Sequence, residues 1–125
     1  MHVIDFEFAH RACRATDVGQ FIGDLIERCT VDLALQPAAE ETIRGFVGGY
    51  GNMDDEMMWR TVIYIGVYVV NWWSRGPPGR EDQSDEVRDR GVELVKQGLE
   101  WVRAGRDRDA AASLKTPLRV LWDSR

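Results

Sequence analysis

The segment from Met57 to Trp73 constrains the fold more than any other part of this chain, because it is apolar almost all round. Its β-branched residues would also suit a strand, but typical strands end after about 5–6 residues, so the length predicts a helix. The segment falls short of the roughly 20 residues of a membrane span and carries Arg60, Thr61 and Asn71. We therefore expect a central helix covered by protein on every side, and no membrane partner.

Caps and apolar periodicity predict further helices before this segment. Thr16 or Asp17 can cap the first helix. Its apolar stripe comprises Val18, Phe21, Ile22, Leu25, Ile26 and Cys29. Gln36-Pro37 opens the second helix, because proline suits a first turn, and Gly48–Gly51 ends it. Asp54 is then a suitable cap for the central helix.

The carboxyl-terminal half predicts a polar linker and two more helices. The linker runs from Gly76 to Ser84, and we expect it to be mobile or variable. A fourth helix follows from about Asp85 to Ala104, in which Gly91 and Gly98 allow close packing. Its predicted stripe comprises Val87, Leu94, Val95, Leu99 and Val102. Thr116-Pro117 can cap a last short helix, which contains Leu118, Leu121 and Trp122.

One short strand is predicted ahead of these helices, from His2 to Phe8. Its residues alternate, so that Val3, Asp5 and Glu7 share one face and an apolar set shares the other. A single strand leaves its backbone groups without partners. No second strand signal follows, so either another chain or an upstream segment supplies the pairing partner, or the strand frays. Self-association is therefore predicted through this strand or through the apolar helix.

The bulk composition narrows the classes of function. The chain has 125 residues, of which 44% are hydrophobic, and 16 basic residues against 21 acidic ones give a net charge of −5. That charge argues against nucleic acid as a partner. Cys13 and Cys29 suit small buried hydrophobes in a reducing compartment, and Asp5 and Glu7 interrupt any leader sequence. We expect a cytoplasmic protein.

Asp5 and Glu7 are the candidate metal ligands. Both carboxylates lie on one strand face, close to where the chain leaves the core. Phosphoryl transfer needs Mg²⁺ against the phosphate oxygens, and Mg²⁺ typically takes one or two carboxylates. The alternative from spacing alone is the charged, solvent-facing side of an edge strand.

The stretch Val3-Ile-Asp-Phe-Glu-Phe-Ala9 resembles the Asp-Phe-Glu stretch of choline and ethanolamine kinases. It is also similar to the Asp-x-Glu segment of methylthioribose kinases and of fungal aminoglycoside-phosphotransferase-like proteins. The matching stretch of protein kinases reads Asp-Phe-Gly. The resemblance implies that Asp5 is a metal-binding aspartate, that Glu7 is a second ligand, and that Mg²⁺ and ATP are cofactors. It also implies a small-molecule hydroxyl acceptor.

Asp17 carries a second part of the resemblance. Asp17-Val-Gly-Gln-Phe21 is similar to the Asp-(Leu/Ile)-(Gly/Ala) of that family at the start of the next helix. The family aspartate braces the catalytic loop through backbone amides, which implies the same supporting role for Asp17. An ordinary helix cap is the alternative, and one carboxylate can accept both kinds of hydrogen bond.

The sequence also departs from the family. The catalytic loop His-Gly-Asp-x-x-x-x-Asn and a nucleotide-binding lobe are not found in it, and neither His2 nor His10 is followed by Gly-Asp. We therefore expect a mainly α fold: the helical C-terminal subdomain of a protein-kinase-like fold, with one short leading β-strand. Residues 1–125 would form a partial aminoglycoside-phosphotransferase-like domain.

Three hypotheses about function follow. The first is the C-terminal part of an ATP-dependent small-molecule phosphotransferase, inactive as this chain alone. The second is a non-enzymatic helical interaction or regulatory module derived from such a kinase, and the third is an incomplete gene sequence. Trp72-Trp73 can stack on a ligand or anchor the core, and Asp54–Glu56 can line an acidic site or cap a helix.

Overall fold

The computed structural model describes residues 14–51, 53–74, 84–113 and 118–123. The helices in these ranges are α1 Arg14–Val31, α2 Gln36–Tyr50, α3 Asp55–Ser74, α4 Asp85–Asp107, α5 Ala110–Ser113 and α6 Arg119–Asp123, with a 3-10 turn at Leu33–Leu35. No strand occurs in these ranges, so the prediction of a mainly α protein is confirmed for them. The predicted leading strand, residues 2–8, lies outside the described residues, and the kinase-like lobe and the single partial domain stay predictions.

Helix α3 lies at the centre, as predicted, but it is not covered on every side, because Arg60, Val67 and Asn71 are exposed. It packs against α1 on one side and α4 on the other, and α4 also contacts α1. Its fully buried side chains are Met58, Thr61, Val62, Ile65, Val69 and Trp73. Thr61 is accommodated because its hydroxyl donates to the Met57 carbonyl oxygen at 2.8 Å. Within the described residues, no helix combines the length and apolarity needed to cross a bilayer.

Glycines allow α3 and α4 to approach closely. A Cβ on Gly66 would collide with the carbonyl oxygen of Gly98 and with the backbone of Val102. A Cβ on Gly91 would occupy the place of the Trp73 indole ring. The prediction that Gly91 and Gly98 permit close packing is thus confirmed, and Trp73 is a core residue. Backbone-to-backbone contact of this kind is available only where side chains are absent.

Helix α1 contacts α3 through a different pairing, of glycine with tyrosine. Gly19 lies under Tyr64, where an added Cβ would be 2.7 Å from the tyrosine Cβ, and Gly23 lies under the Tyr68 ring. Ala15, Gly19, Gly23 and Glu27 follow one another at four-residue spacing and are all buried. This row is the face of α1 that meets α3.

Helix α2 and the short carboxyl-terminal helix α6 close the remaining side of the core. The Phe21 and Phe46 rings stack with centroids 4.3 Å apart and join α1 to α2. Leu118, immediately before α6, and Leu121, within it, are fully buried. The Trp59 ring meets the Trp122 ring edge to face, at 4.9 Å between centroids.

Local caps account for several helix ends. The amide of Met57 donates to Asp54 Oδ1 at 2.8 Å, and that of Val87 donates to Ser84 Oγ at 3.2 Å. Gly51 ends α2 with φ of 100°, whereas Gly48 and Gly49 remain inside the helix. The capping interpretation of Asp54 is therefore confirmed.

Three sequence predictions need correction. Helix α1 begins at Arg14, so Thr16 and Asp17 lie inside its first turns and are not the residues that precede it. Helix α4 extends to Asp107. Leu99 was predicted to be buried, but its side chain is 57% exposed, whereas Trp101 is fully buried. The buried face of α4 comprises Gly91, Leu94, Gly98, Trp101, Ala104 and Gly105, and its three glycines carry no side chain that would reveal them in the sequence.

Candidate functional site

An acidic depression lies along the amino-terminal half of α1. It has a volume of about 350 Å³ and is lined by Asp17, Gln20, Phe21, Asp24 and Tyr68. The four α1 residues are spaced by three, four and seven positions, so the helix places them on one face. Tyr68 comes from α3 and closes the far side. The Asp17 carboxylate is exposed here.

Asp24 is held by two hydrogen-bond donors. Arg28 Nε donates to Asp24 Oδ2 at 3.0 Å, and the Tyr68 hydroxyl also hydrogen-bonds to this carboxylate. Burial, followed by the negative charges of Asp24 and Glu27, raises the pKa of Tyr68. The hydroxyl therefore stays protonated at neutral pH and acts as a donor.

Basic groups lie at the same end of α1. Arg14 Nε donates to the Tyr50 hydroxyl at 3.1 Å, and its guanidinium carbon lies 4.9 Å from the centre of the Tyr50 ring. These contacts raise the pKa of Arg14, chiefly through the hydrogen bond to Tyr50. Arg14 and Arg60 line a second depression of about 230 Å³, where Arg60 also donates to Glu56 at 2.8 Å. Charges of both signs are thus available at this end of the helix.

Glu27 is a buried carboxyl group that sequence reasoning missed. It is 5% exposed, and within the described part of the chain neither carboxyl oxygen has a hydrogen-bond partner. Burial, assisted by the charge of Asp24, raises the pKa of Glu27 to about 8. The group is therefore neutral at pH 7. Its place at the end of the four-residue row of Ala15, Gly19 and Gly23 was the available signal.

The predicted metal ligands are not brought together by what the structure describes. Asp5 and Glu7 precede the described residues, so their roles stay predictions. Among the residues that are described, no three His, Cys, Asp or Glu side chains form a group that could hold a metal ion. Asp17 is exposed in the first turns of α1, but the catalytic loop that it is predicted to brace has no counterpart in this sequence, so its role stays a prediction.

Comparison with known proteins finds a partial similarity to a phosphotransferase. The chain is 29% identical over 69 residues to the phosphotransferase FrzJ of Cladobotryum sp, which covers 54% of this chain and 17% of the relative. The chain thus matches only a small part of that protein's length. No family model and no solved structure matches it. This similarity supports a phosphotransferase-like origin and goes no further.

Proposed function

We propose that this chain is the C-terminal helical lobe of an aminoglycoside-phosphotransferase or choline-kinase-like protein. The activity of the whole protein would be ATP-dependent transfer of the γ-phosphoryl group to a hydroxyl group of a small molecule. The similarity to the phosphotransferase FrzJ is the observation that carries this proposal. The helical architecture of the described residues is compatible with such a lobe.

In this proposal the amino-terminal carboxylates have separate roles. Asp5 and Glu7 would hold Mg²⁺, which supplies neutralisation of the phosphate charge in phosphoryl transfer. Asp17 would support the catalytic loop by accepting its backbone amides. Its exposed position in the first turn of α1 leaves the carboxylate accessible for such bonds. No general base is assigned to this chain, so we expect weak nucleotide binding at most and no turnover.

Paramagnetic NMR tests the metal assignment. Mn²⁺ added with ATP is expected to broaden the amide signals of residues 3–9 and of the first turn of α1. Asp5→Asn should abolish this broadening, because it removes the metal-binding carboxylate. Asp32→Asn is the matched control: it lies at the other end of α1 and keeps the Oδ1 acceptor that caps the Leu33–Leu35 turn.

Two experimental outcomes would contradict this proposal. Broadening that is unaffected by Asp5→Asn would remove the metal assignment. Steady phosphotransfer from the purified chain, lost in Asp5→Asn, would show that the chain is catalytically complete and that the lobe hypothesis is wrong.

A non-enzymatic interaction module is the second candidate function. The observation that favours it is a group of exposed apolar side chains after α1, at Val31, Leu33 and Leu35, which are between 43% and 53% exposed. Size-exclusion chromatography with light scattering, with and without Mg²⁺-ATP, distinguishes the two. A defined oligomer that ignores Mg²⁺-ATP and is lost in Leu35→Ser, but not in the control Val67→Ser, favours the module.

A further inference from the structure

A second and larger cavity lies at the opposite end of α1. It has a volume of about 460 Å³, which falls within the range typical of small-molecule sites. The carboxyl-terminal half of α1, the Leu33–Leu35 turn, α2 and α4 form its walls. Ile26, Ile43, Leu94 and Trp101 supply apolar lining, and each is buried. An apolar body would therefore be favoured inside it.

Two hydrogen-bond donors in the cavity wall lack acceptors. Trp101 is fully buried, and within the described residues its indole N–H has no hydrogen-bond partner. The buried side-chain amide nitrogen of Gln97 likewise has no hydrogen-bond partner among the described residues. Both residues line the cavity. A buried donor without an acceptor is costly, so an occupant that presents an acceptor oxygen would relieve this cost.

The charges of the lining select against anions. Glu40, Asp89 and Glu93 are the lining carboxylates, and Arg90 is the cation that lines the cavity with them. Arg90 is already engaged, because its Nε donates to the Thr30 carbonyl oxygen at 2.9 Å and its Nη2 donates to the Val31 carbonyl oxygen at 3.4 Å.

Lys96 does not overturn this balance. Its Nζ lies 3.3 Å from Glu93 Oε1. With Lys96 included, the three lining carboxylates still outnumber the two cations. A negatively charged ligand would meet net repulsion here.

We infer that this cavity is a binding site for a compact apolar molecule that carries a hydrogen-bond-accepting oxygen and no negative charge. The site is separate from the acidic depression at the other end of α1. The two sites share no lining residue, and Asp17 lies about 13–20 Å along the helix axis from Ile26 and Thr30, although Asp24 precedes Ile26 by only two residues. The occupant therefore does not need to take part in phosphoryl transfer.

Three dansyl compounds that share one fluorophore test the inference. Each has a naphthalene body and sulfonyl oxygens, and they differ in their tail: dansylcadaverine is cationic, N-butyl dansylamide is neutral, and dansyl-6-aminohexanoate is anionic. Fluorescence titration of the full chain should show saturable binding of the first two, with the anion at least about tenfold weaker. Absence of binding for all three, or tightest binding of the anion, would overturn the inference.

Matched variants locate the binding. Trp101→Phe removes the donor and keeps most of the ring volume, so affinity for the neutral probe should fall about tenfold. Trp59→Phe is the control, because Trp59 is buried but does not line the cavity. If Trp101→Phe lowers the unfolding temperature, Ala39→Met decides the question. Ala39 lines the cavity and Ala38 is an exposed neighbour, so only Ala39→Met should block binding.

A charge variant tests the selection against anions. Glu40→Gln should strengthen binding of the anionic probe several-fold, because it removes one lining carboxylate. Glu41→Gln, an identical change on the next residue, lies outside the cavity and should leave all three affinities unchanged. Equal effects of the two substitutions would show that the probe binds elsewhere.

Discussion

The two faces of α3 differ at the contacts made by Gly66 and Gly23, although Gly91 on α4 also lies against a ring, that of Trp73. Toward α4, Gly66 meets the backbone of Gly98, so two helices touch through main-chain atoms. Toward α1, Gly23 is covered by the ring of Tyr68, so the contact is between a backbone and a side chain. Main-chain atoms cannot move without displacing a whole helix, whereas a ring can turn or shift. The α4 face should therefore tolerate added volume much less well than the α1 face.

The two faces also differ in polarity. The α1 row ends on the buried carboxyl group of Glu27, and Tyr68 hydrogen-bonds to Asp24 beside it. The α4 row of Gly91, Gly98 and Gly105 carries no titratable side chain. We therefore expect stability to depend on pH through the α1 face, and on side-chain volume mainly through the α4 face.

The largest effect is expected from Gly66→Ala. Its new methyl group would collide with the Gly98 carbonyl oxygen and the Val102 backbone, so the free energy of unfolding should fall by about 3 kcal/mol. Urea denaturation measures it. Gly45→Ala is the control, because nothing lies within 4 Å of that position, and it should raise the free energy of unfolding by about 0.5–1 kcal/mol. A loss below 1 kcal/mol for Gly66→Ala would contradict the backbone-contact interpretation.

Glu27→Gln is expected to have the next largest effect, which begins above about pH 4.5 and is nearly complete at pH 8. Below its ordinary pKa of 4.5 the carboxyl group is protonated in both folded and unfolded chains and has no pH-dependent effect. As pH rises, the unfolded chain loses the proton first, so wild-type stability falls until the folded pKa of about 8 is passed. Glutamine cannot ionise, so the full shift would make the variant more stable by about 4 kcal/mol at pH 8, and we expect on the order of 2–3 kcal/mol because relaxation and water entry screen a buried charge.

Denaturation curves from pH 4 to 9 check this prediction. The stability difference between Glu27→Gln and wild type should grow steadily with pH and then level off. Glu41→Gln, at an exposed position on α2, should give a curve parallel to that of wild type. Parallel curves for Glu27→Gln as well would mean that this carboxyl group titrates normally.

Gly23→Ala should cost less than Gly66→Ala, about 1–2 kcal/mol. The added methyl group meets the Tyr68 ring, which can move to accommodate it. A double-mutant cycle with Tyr68→Ala measures the coupling, since removal of the ring should remove most of the cost. An unchanged cost in the Tyr68→Ala background would show that another part of the structure resists the methyl group.

Tyr68→Phe should have the smallest effect, a loss of about 0.5–1 kcal/mol, because the hydrogen bond to Asp24 is partly exposed. Thermal unfolding followed by circular dichroism measures it. Tyr64→Phe is the matched change one turn earlier on α3, over Gly19, and it should be close to neutral. A larger loss for Tyr64→Phe would contradict the prediction, because the Tyr64 hydroxyl and not the Tyr68 hydroxyl would then stabilise the fold.

Much of the helical framework could be predicted because its signals are local. Pro37 suits a first helical turn, and Asp54 accepts an amide three residues later, so both helix starts follow from short-range chemistry. The candidate site was less predictable. Asp17 was identified by resemblance and Asp24 shares its helix face by spacing, whereas Tyr68 joins them only because α1 and α3 cross at that point.

The sequence by itself determined that α3 would be central, because a helix that is apolar over most of its surface is stable only when most of that surface is covered. The tertiary structure alone decided that Leu99 is exposed, that Trp101 is buried beside a cavity, and that Glu27 is buried without a hydrogen-bond partner among the described residues. These outcomes depend on which face of each helix meets its neighbour. Glycines contribute to that choice, because they permit close contact between helices, yet they carry no apolar side chain that would indicate a buried position in the sequence.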